Sequence, residues 1–395
     1  MTVSGAAFAQ STVTIYGRAH VGYDLGYSTS GAAAATSNLA NRNRVADDGS
    51  RIGFRISEDL GGGLRAFSVI ETGVNLDTNS ANGQSGAANS GTGFMGSREA
   101  HVGIGNATGE IRLGRQNVFW ANGAIEDVSA NRISGGVISS YTSPSSGFTQ
   151  APASRQDNTV QLIGGAALGA FAGSSVWMSR PGTAEQTPVN VTPKAAAQGI
   201  TLAYNKGPFA ARLDYGQNKD TNNGLVQASP SSTAGHNATH TGTKLGLAYT
   251  YAPGSKVYFI NAKFKSAFSV DAVNTQTPTT LGNTLVGGRE QASNSIGVQH
   301  LMGVWELHGQ VVKQGDVKRA SGATLADSGS SAYSLGARYN LSKRTAITAS
   351  YNVINNEALN NITASGAGMS QAGAGAGLAA GSDTKITRVS IQHAF

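Results

Sequence analysis

The sequence predicts an all-β fold, a sixteen-stranded antiparallel transmembrane β-barrel. Three observations carry this. Short segments alternate polar and apolar residues with period 2 along the chain. Tight turns and long loops rich in Gly, Ala, Ser, Thr and Asn alternate between them. The sequence ends on such a segment at Phe395, with Val389, Ile391 and Phe395 on one face and Arg388, Ser390 and Gln392 on the other. A bare aromatic edge strand invites aggregation, whereas a barrel needs a last strand to pair with its first.

Taken in order, Val13 to Asp24 puts Val13, Ile15, Ala19, Val21 and Tyr23 on one face and Thr14, Arg18, His20 and Asp24 on the other. In the second segment Ile52, Phe54 and Ile56 face outward, opposite Arg51 and Arg55. Leu64 to Asn75, Arg98 to Gly105 and Glu110 to Gln116 follow, then Arg155 to Ile163 and Phe171 to Met178. The next segments centre on Leu202, Leu213 and Leu247. In the eleventh, Tyr258, Ile260 and Phe264 alternate with Asn261, Lys263 and Lys265, and the lysines are expected to line the interior. Ser293 to Met302, Trp305 to Lys313, a segment around Leu335, one around Ala349 and the closing segment complete sixteen, an even number as bacterial single-chain barrels have. The third, seventh and eleventh alternate least regularly.

Short turns fall at 58–63, 106–109, 206–208, 252–255 and 341–344. Long loops fall at 27–49, 77–96, 117–154, 181–198, 220–242, 270–292, 316–331 and 356–383. Such loops argue against a compact soluble domain but suit an open barrel mouth. Tyrosines near segment ends, among them Tyr16, Tyr23, Tyr249, Tyr258 and Tyr351, are expected in girdles at the two lipid–water interfaces.

Composition agrees. Cysteine is absent, which excludes disulfides and thiolate metal sites. No run of about 18 apolar residues offers a membrane helix. Gly numbers 53 and Pro 9 in 395 residues, and hydrophobic residues make up 39%. The net charge of +7 is spread singly rather than clustered with aromatics, so a positively biased interior fits better than a nucleic-acid surface. Ala7-Phe8-Ala9 before Gln10 reads as a signal cleavage site, making residues 1–9 a signal-peptide remnant and 10–395 one barrel. His236 and His240 stand four apart in a polar loop without a third ligand, and Gly61–Gly63 precedes no helix. No metal or cofactor is implied. Asp47, Asp48 and Asp77 read as solvated loop charges.

The chain resembles the general porins of Gram-negative bacteria, especially the betaproteobacterial trimeric family. The resemblance rests on Ser11-Thr-Val-Thr-Ile-Tyr-Gly17, on Ser50-Arg-Ile-Gly-Phe54, and on Ser57-Glu-Asp-Leu-Gly-Gly-Gly-Leu-Arg-Ala66. Gly109-Glu-Ile-Arg-Leu-Gly-Arg115, Leu341-Ser-Lys-Arg-Thr-Ala346 and the terminal Gln392-His-Ala-Phe395 extend it. It implies a homotrimer in outer-membrane lipid and lipopolysaccharide, passing small hydrophilic solutes and anions. It also implies that the third loop, 117–154, folds into the lumen and turns Glu126 and Asp127 toward the pore. An arginine wall would face those acids. Matched by motif, that wall contains Arg51, Arg98 and Arg155, with Glu71 near the end of the third strand. Parity adds Arg18 and Arg55, and Arg115 closes one of the matched motifs.

Rings of opposite charge set width and field in a diffusion pore, so the expected function is passive diffusion with mild anion preference. A substrate-specific channel would need an aromatic track or dense lysine ladder in the lumen. An adhesin barrel would lack an open pore. An outer-membrane hydrolase would need a paired Ser/His or Asp/His, and none of the seven histidines has an evident partner in sequence.

Overall fold

The computed structural model describes residues 11–30, 43–77, 95–119, 125, 155–179, 196–221, 237–268, 289–319, 321–360, 381 and 383–395. The expected signal remnant and much of every long loop except 316–331 lie outside them.

The strands are β1 Thr12–Ser30, β2 Arg44–Asp47, β3 Arg51–Gly61, β4 Leu64–Gly73, β5 Glu99–Gly105, β6 Gly109–Asn117 and β7 Arg155–Gly164. There follow β8 Ser175–Ser179, β9 Ala196–Lys206, β10 Phe209–Thr221, β11 Asn237–Ala252, β12 Ser255–Phe268 and β13 Arg289–Met302. The last are β14 Trp305–Gln314, β15 Val317–Arg319, β16 Thr324–Leu325, β17 Ser330–Asn340, β18 Thr345–Asn356 and β19 Asp383–Ala394. β2 and β3 pair in succession with β1 and together fill one wall position. β15 and β16 form a small hairpin beside β13. Sixteen wall strands remain, every pair antiparallel, and β19 closes the ring on β1.

The seam is held at the last residue. The Phe395 amide donates to the Gly17 carbonyl at 3.1 Å, and the Gly17 amide donates back at 3.0 Å. The Phe395 ring lies over Gly17, where a Cβ would collide with it. Ala394 donates to the Arg344 carbonyl, so Phe395 sits at the short-turn end of the barrel. At that end Gly61, Gly62 and Gly63 all have positive φ (82°, 62° and 78°), which glycine adopts without steric cost.

The wall follows the strand period. In β1, Val13 is 63% exposed on the outside while Asp24 is fully buried inside. A soluble protein would bury the first, but a barrel in lipid turns its apolar face outward. Phe209 against Tyr249 (5.2 Å between rings) and Trp305 against Tyr339 (4.7 Å) form an outer aromatic band near the short turns.

Several expectations need correction. The seventh wall strand begins at Ser175, because Ala166–Phe171 forms a 3-10 helix in the preceding turn. Tyr16 and Tyr258 are not girdle residues. Tyr16 points inward and donates to Glu71 at 3.0 Å, while buried Tyr258 bonds with His308 at 2.8 Å. In β12 the faces are inverted. Tyr258, Ile260 and Phe264 face the interior and Lys263 and Lys265 the exterior. The tight hairpin pairing Ala252 with Ser255 sets the register, and the parity follows from it. Asp47 and Asp48 are buried rather than solvated, and Asp47 accepts the Gly49 and Ser50 amides. His240 lies within β11, facing inward.

Candidate functional site

The inner face of β1, β3, β4 and β5 gathers charge around one carboxylate. Glu71 on β4 accepts from Arg98 Nε at 2.6 Å and from the Tyr16 hydroxyl at 3.0 Å, and Arg51 Nε lies 3.4 Å away. The Arg55 guanidinium stacks 3.8 Å from the Tyr16 ring centroid. Across the β1–β3 ladder Arg18 stands opposite Arg51. Arg18 is buried and donates to the carbonyls of Asp48 and Gly49 at 2.9 and 2.8 Å. Arg98 precedes β5, so strand parity does not bind it, and its amide bond to the Glu71 carbonyl turns it inward.

Tyr16, Arg51, Arg55, Glu71 and Arg98 border a recess of about 480 Å³ that Glu99, His101, Arg112 and Asn117 also line. Asn117 donates to Glu99 at 2.5 Å. Arg155 opens β7 opposite Asn117 and lies within electrostatic reach of Arg98, Glu99 and Glu71. Arg115 occupies a bulge in the β6–β7 ladder, ion-pairs with Asp157 and donates to the Ser97 carbonyl. The structure therefore brings Arg18, Arg51, Arg55, Arg98 and Glu71 together, with Arg155 beside them and Arg115 engaged elsewhere. Glu126 and Asp127 lie outside the described residues.

On the other side of the lumen the residues following β6 meet the wall. Val118 and Phe119 pack in one buried cluster with Trp177, Ala197, Ala262 and Phe264. Phe119 has φ +50°, a conformation that costs a non-glycine residue about 1–2 kcal/mol. Burial of its ring and the bond from Arg212 Nη2 to its carbonyl at 3.0 Å offset that cost. Arg212 is itself fixed by Asp214, with Nε to Oδ2 at 2.9 Å. Lys256 Nζ donates to the Ile125 carbonyl at 2.5 Å.

Sequence reasoning did not single out Glu99 or the second charge cluster. There Arg388 donates to Asp24 through Nε at 2.7 Å and Nη2 at 3.1 Å, and its Nη1 lies 3.5 Å from Asp48. Asp24 and Arg388 were visible as inward positions on their strands; their pairing depends on the β1–β19 register. His20 does have partners. Its Nε2 is 3.1 Å from Ser390 Oγ and its Nδ1 is 3.3 Å from Asp48 Oδ2. The spacing is that of a Ser-His-Asp triad, but the Nδ1 contact lacks hydrogen-bond geometry, and Ser390 is only 5% exposed. A working triad needs an oriented imidazole and an accessible nucleophile, so the group reads as a packed polar cluster.

What the arrangement can do chemically is shape a field. Seven guanidiniums (Arg18, Arg51, Arg55, Arg65, Arg98, Arg112, Arg155) face three carboxylates (Glu71, Glu99, Glu110) along this wall. Among the described residues no group of three or more His, Asp or Glu side chains is arranged to hold a metal.

Comparison with known proteins agrees with this architecture. The family model described as Gram-negative porin matches residues 1–359. An outer membrane porin protein of Bordetella pertussis is 28% identical over 369 residues, covering 87% of this chain and 88% of that one. Outer membrane porin protein 32 of Delftia acidovorans is 26% identical and covers 100% of this chain and 97% of its own. Among solved structures, the anion-selective porin from Comamonas acidovorans superposes with a TM-score of 0.66 at 21% identity, covering 98% of this chain and 100% of that one.

Proposed function

The chain belongs to the Gram-negative porin family, a multi-pass β-barrel of the outer membrane, and we propose that it is a passive diffusion channel for small hydrophilic solutes and ions with a mild preference for anions. The observation that carries the reading is the excess of arginine over carboxylate on the wall around Glu71. Low-dielectric walls focus that field into the lumen and raise the local concentration of anions. The Comamonas neighbour, named an anion-selective porin, points the same way.

The constriction in this reading is formed by Arg18, Arg51, Arg55, Arg98 and Arg155 with Glu71, and Arg115 contributes through its pair with Asp157. The third loop enters the lumen and carries Glu126 and Asp127 to the opposite side. The anchoring of Val118, Phe119 and Ile125 on the inner wall supports this course. The protein works as a homotrimer in lipopolysaccharide-bearing membrane, after removal of residues 1–9.

Reversal potentials in planar lipid bilayers test the selectivity. A modest anion preference at neutral pH and moderate salt is expected, and clear cation selectivity would overturn it. Arg51→Ala combined with Arg155→Ala should move the reversal potential toward cations with trimer yield unchanged. Unaltered selectivity in that double variant would remove both residues from the constriction.

A further inference from the structure

Two stacks stand on the inner wall at the short-turn side of Glu71. Tyr16 lies opposite Gly53 on the β1–β3 ladder, and its ring covers the glycine so closely that a Cβ there would collide with it. The Arg55 guanidinium covers the Tyr16 ring in turn, 3.8 Å from its centroid. Phe67 lies opposite Gly103 and covers it in the same way, with the Arg65 guanidinium 4.5 Å from the ring centroid. Each ring thus holds a guanidinium along the wall, and both Arg55 and Arg65 are exposed. The stacks are neighbours. Arg55 pairs with Val69 across β3–β4, and Phe67 is two residues further along β4, a diagonal of about 7–8 Å. What meets the charges differs. Glu110 accepts from Arg65, and Glu71 accepts from Arg98 and lies near Arg51. Among the described residues no carboxylate or carbonyl accepts from Arg55, whose contact is the ring. His101 lines the same recess beside Phe67, and neither of its buried ring nitrogens has a hydrogen-bond partner among the described residues.

We infer that the recess of about 480 Å³ bounded by these stacks is a binding site for small aromatic carboxylates passing through the lumen. The carboxylate docks on the Arg55 fork through two parallel N–H···O bonds, a geometry that a spherical anion cannot match. The ligand ring lies on the open face of the Arg65 guanidinium, since planar guanidiniums stack on aromatic faces. A saturated ring of the same size offers no such face. Arg55 is the docking group because its charge is not already matched by a neighbouring acid. Tyr16 and Phe67 are positioning residues, which hold the two cations at the spacing of one small ring and its carboxylate. The inference rests on the reading of the lumen as an anion-passing channel and adds a class of solute to it.

The test is the chloride current of the full-length protein in planar bilayers, with benzoate as probe and cyclohexanecarboxylate as its saturated match. Benzoate should interrupt the wild-type current at concentrations on the order of tenfold lower than cyclohexanecarboxylate. Equal potency of the two acids would overturn the aromatic class, and no interruption by either would overturn the site; this comparison needs no variant. Arg55→Gln should weaken benzoate on the order of tenfold or more, and Arg55→Lys, a point charge without the fork, should recover only part of that loss. Tyr16→Leu should weaken benzoate about as much as Arg55→Gln, whereas Tyr16→Phe, which keeps the ring, should restore binding. Wild-type potency in Arg55→Gln would remove Arg55 as the docking group. Equal losses in Tyr16→Leu and Tyr16→Phe would remove the stack as the positioning device. Reversal potentials in potassium chloride report the diffusion reading separately. Cation selectivity with benzoate interruption intact would sink the anion preference alone, and anion selectivity without interruption would sink this site alone.

Discussion

Strands β1 and β12 share a period but run it in opposite senses. β1 turns Val13 and Ile15 outward and buries Arg18, His20 and Asp24 within. β12 buries Tyr258, Ile260 and Phe264 within and turns Lys263, 47% exposed along its side chain, to the outside. The period of a strand follows from its alternation, whereas its sense depends on what covers each face. Inside β1 lie other charges: Asp24 meets Arg388, and Arg18 meets the 48–49 carbonyls. Inside β12 lie Val118 and Phe119. An apolar lumen face is stable where an apolar segment covers it, and a lysine can face outward near the edge of the apolar band, where its ammonium reaches the interface.

The contrast can be broken most sharply at its charged end. Asp24→Ala leaves Arg388 buried without its bidentate partner and should cost about 3–5 kcal/mol in a denaturant titration of the refolded barrel. Phe264→Ala, on the apolar inner face of β12, should cost around 3 kcal/mol, at the lower end for buried aromatics because the lumen supplies water. It should also raise conductance by loosening the contact with Phe119. Val21→Lys, four residues above the Gly17–Phe395 seam on the outward row of β1, should cost about 2–4 kcal/mol, against ~0–1 kcal/mol for Asn261→Lys on β12, two residues from the outward Lys263 at the edge of the apolar band. An equal cost at both positions would contradict the depth difference between the strands. Lys263→Ala removes a half-exposed pair with Glu290 and should change stability by no more than ~0.5 kcal/mol in the same titration.

Much of the wall was legible in the alternation and the loop asymmetry. The strand number, the turns and the closing role of Phe395 all follow from features that neighbouring residues carry. The third loop's site, in contrast, depends on contacts far apart in the chain. Nothing near Phe264 announces Phe119, so the hydrophobic face of β12 pointed to lipid by default. For a related reason, parity extended back past the first residue of β5 gives Arg98 the wrong face, shared with Val102 and Ile104. Tyr16 drew attention as an aromatic near a strand end, while its even spacing with Arg18 and His20 carried the correct signal. Alternation turned Arg18, Arg51, Arg55 and Arg155 inward, whereas Arg98 came through motif resemblance alone. The shared carboxylate, Glu71, emerged through motif resemblance, and Glu99 was missed because it sits beside Arg98 at an uncertain strand start.

The reciprocal bonds between Gly17 and Phe395 have a kinetic meaning. They join positions near opposite ends of the sequence, so the closing contact carries one of the longest loops this chain can form, and such contacts mature late. Every open intermediate exposes two unpaired edges. The wall thus has no edge-free state short of completion. Gly17 admits the Phe395 ring at that last step, and a larger residue there should slow closure more than it weakens the finished barrel.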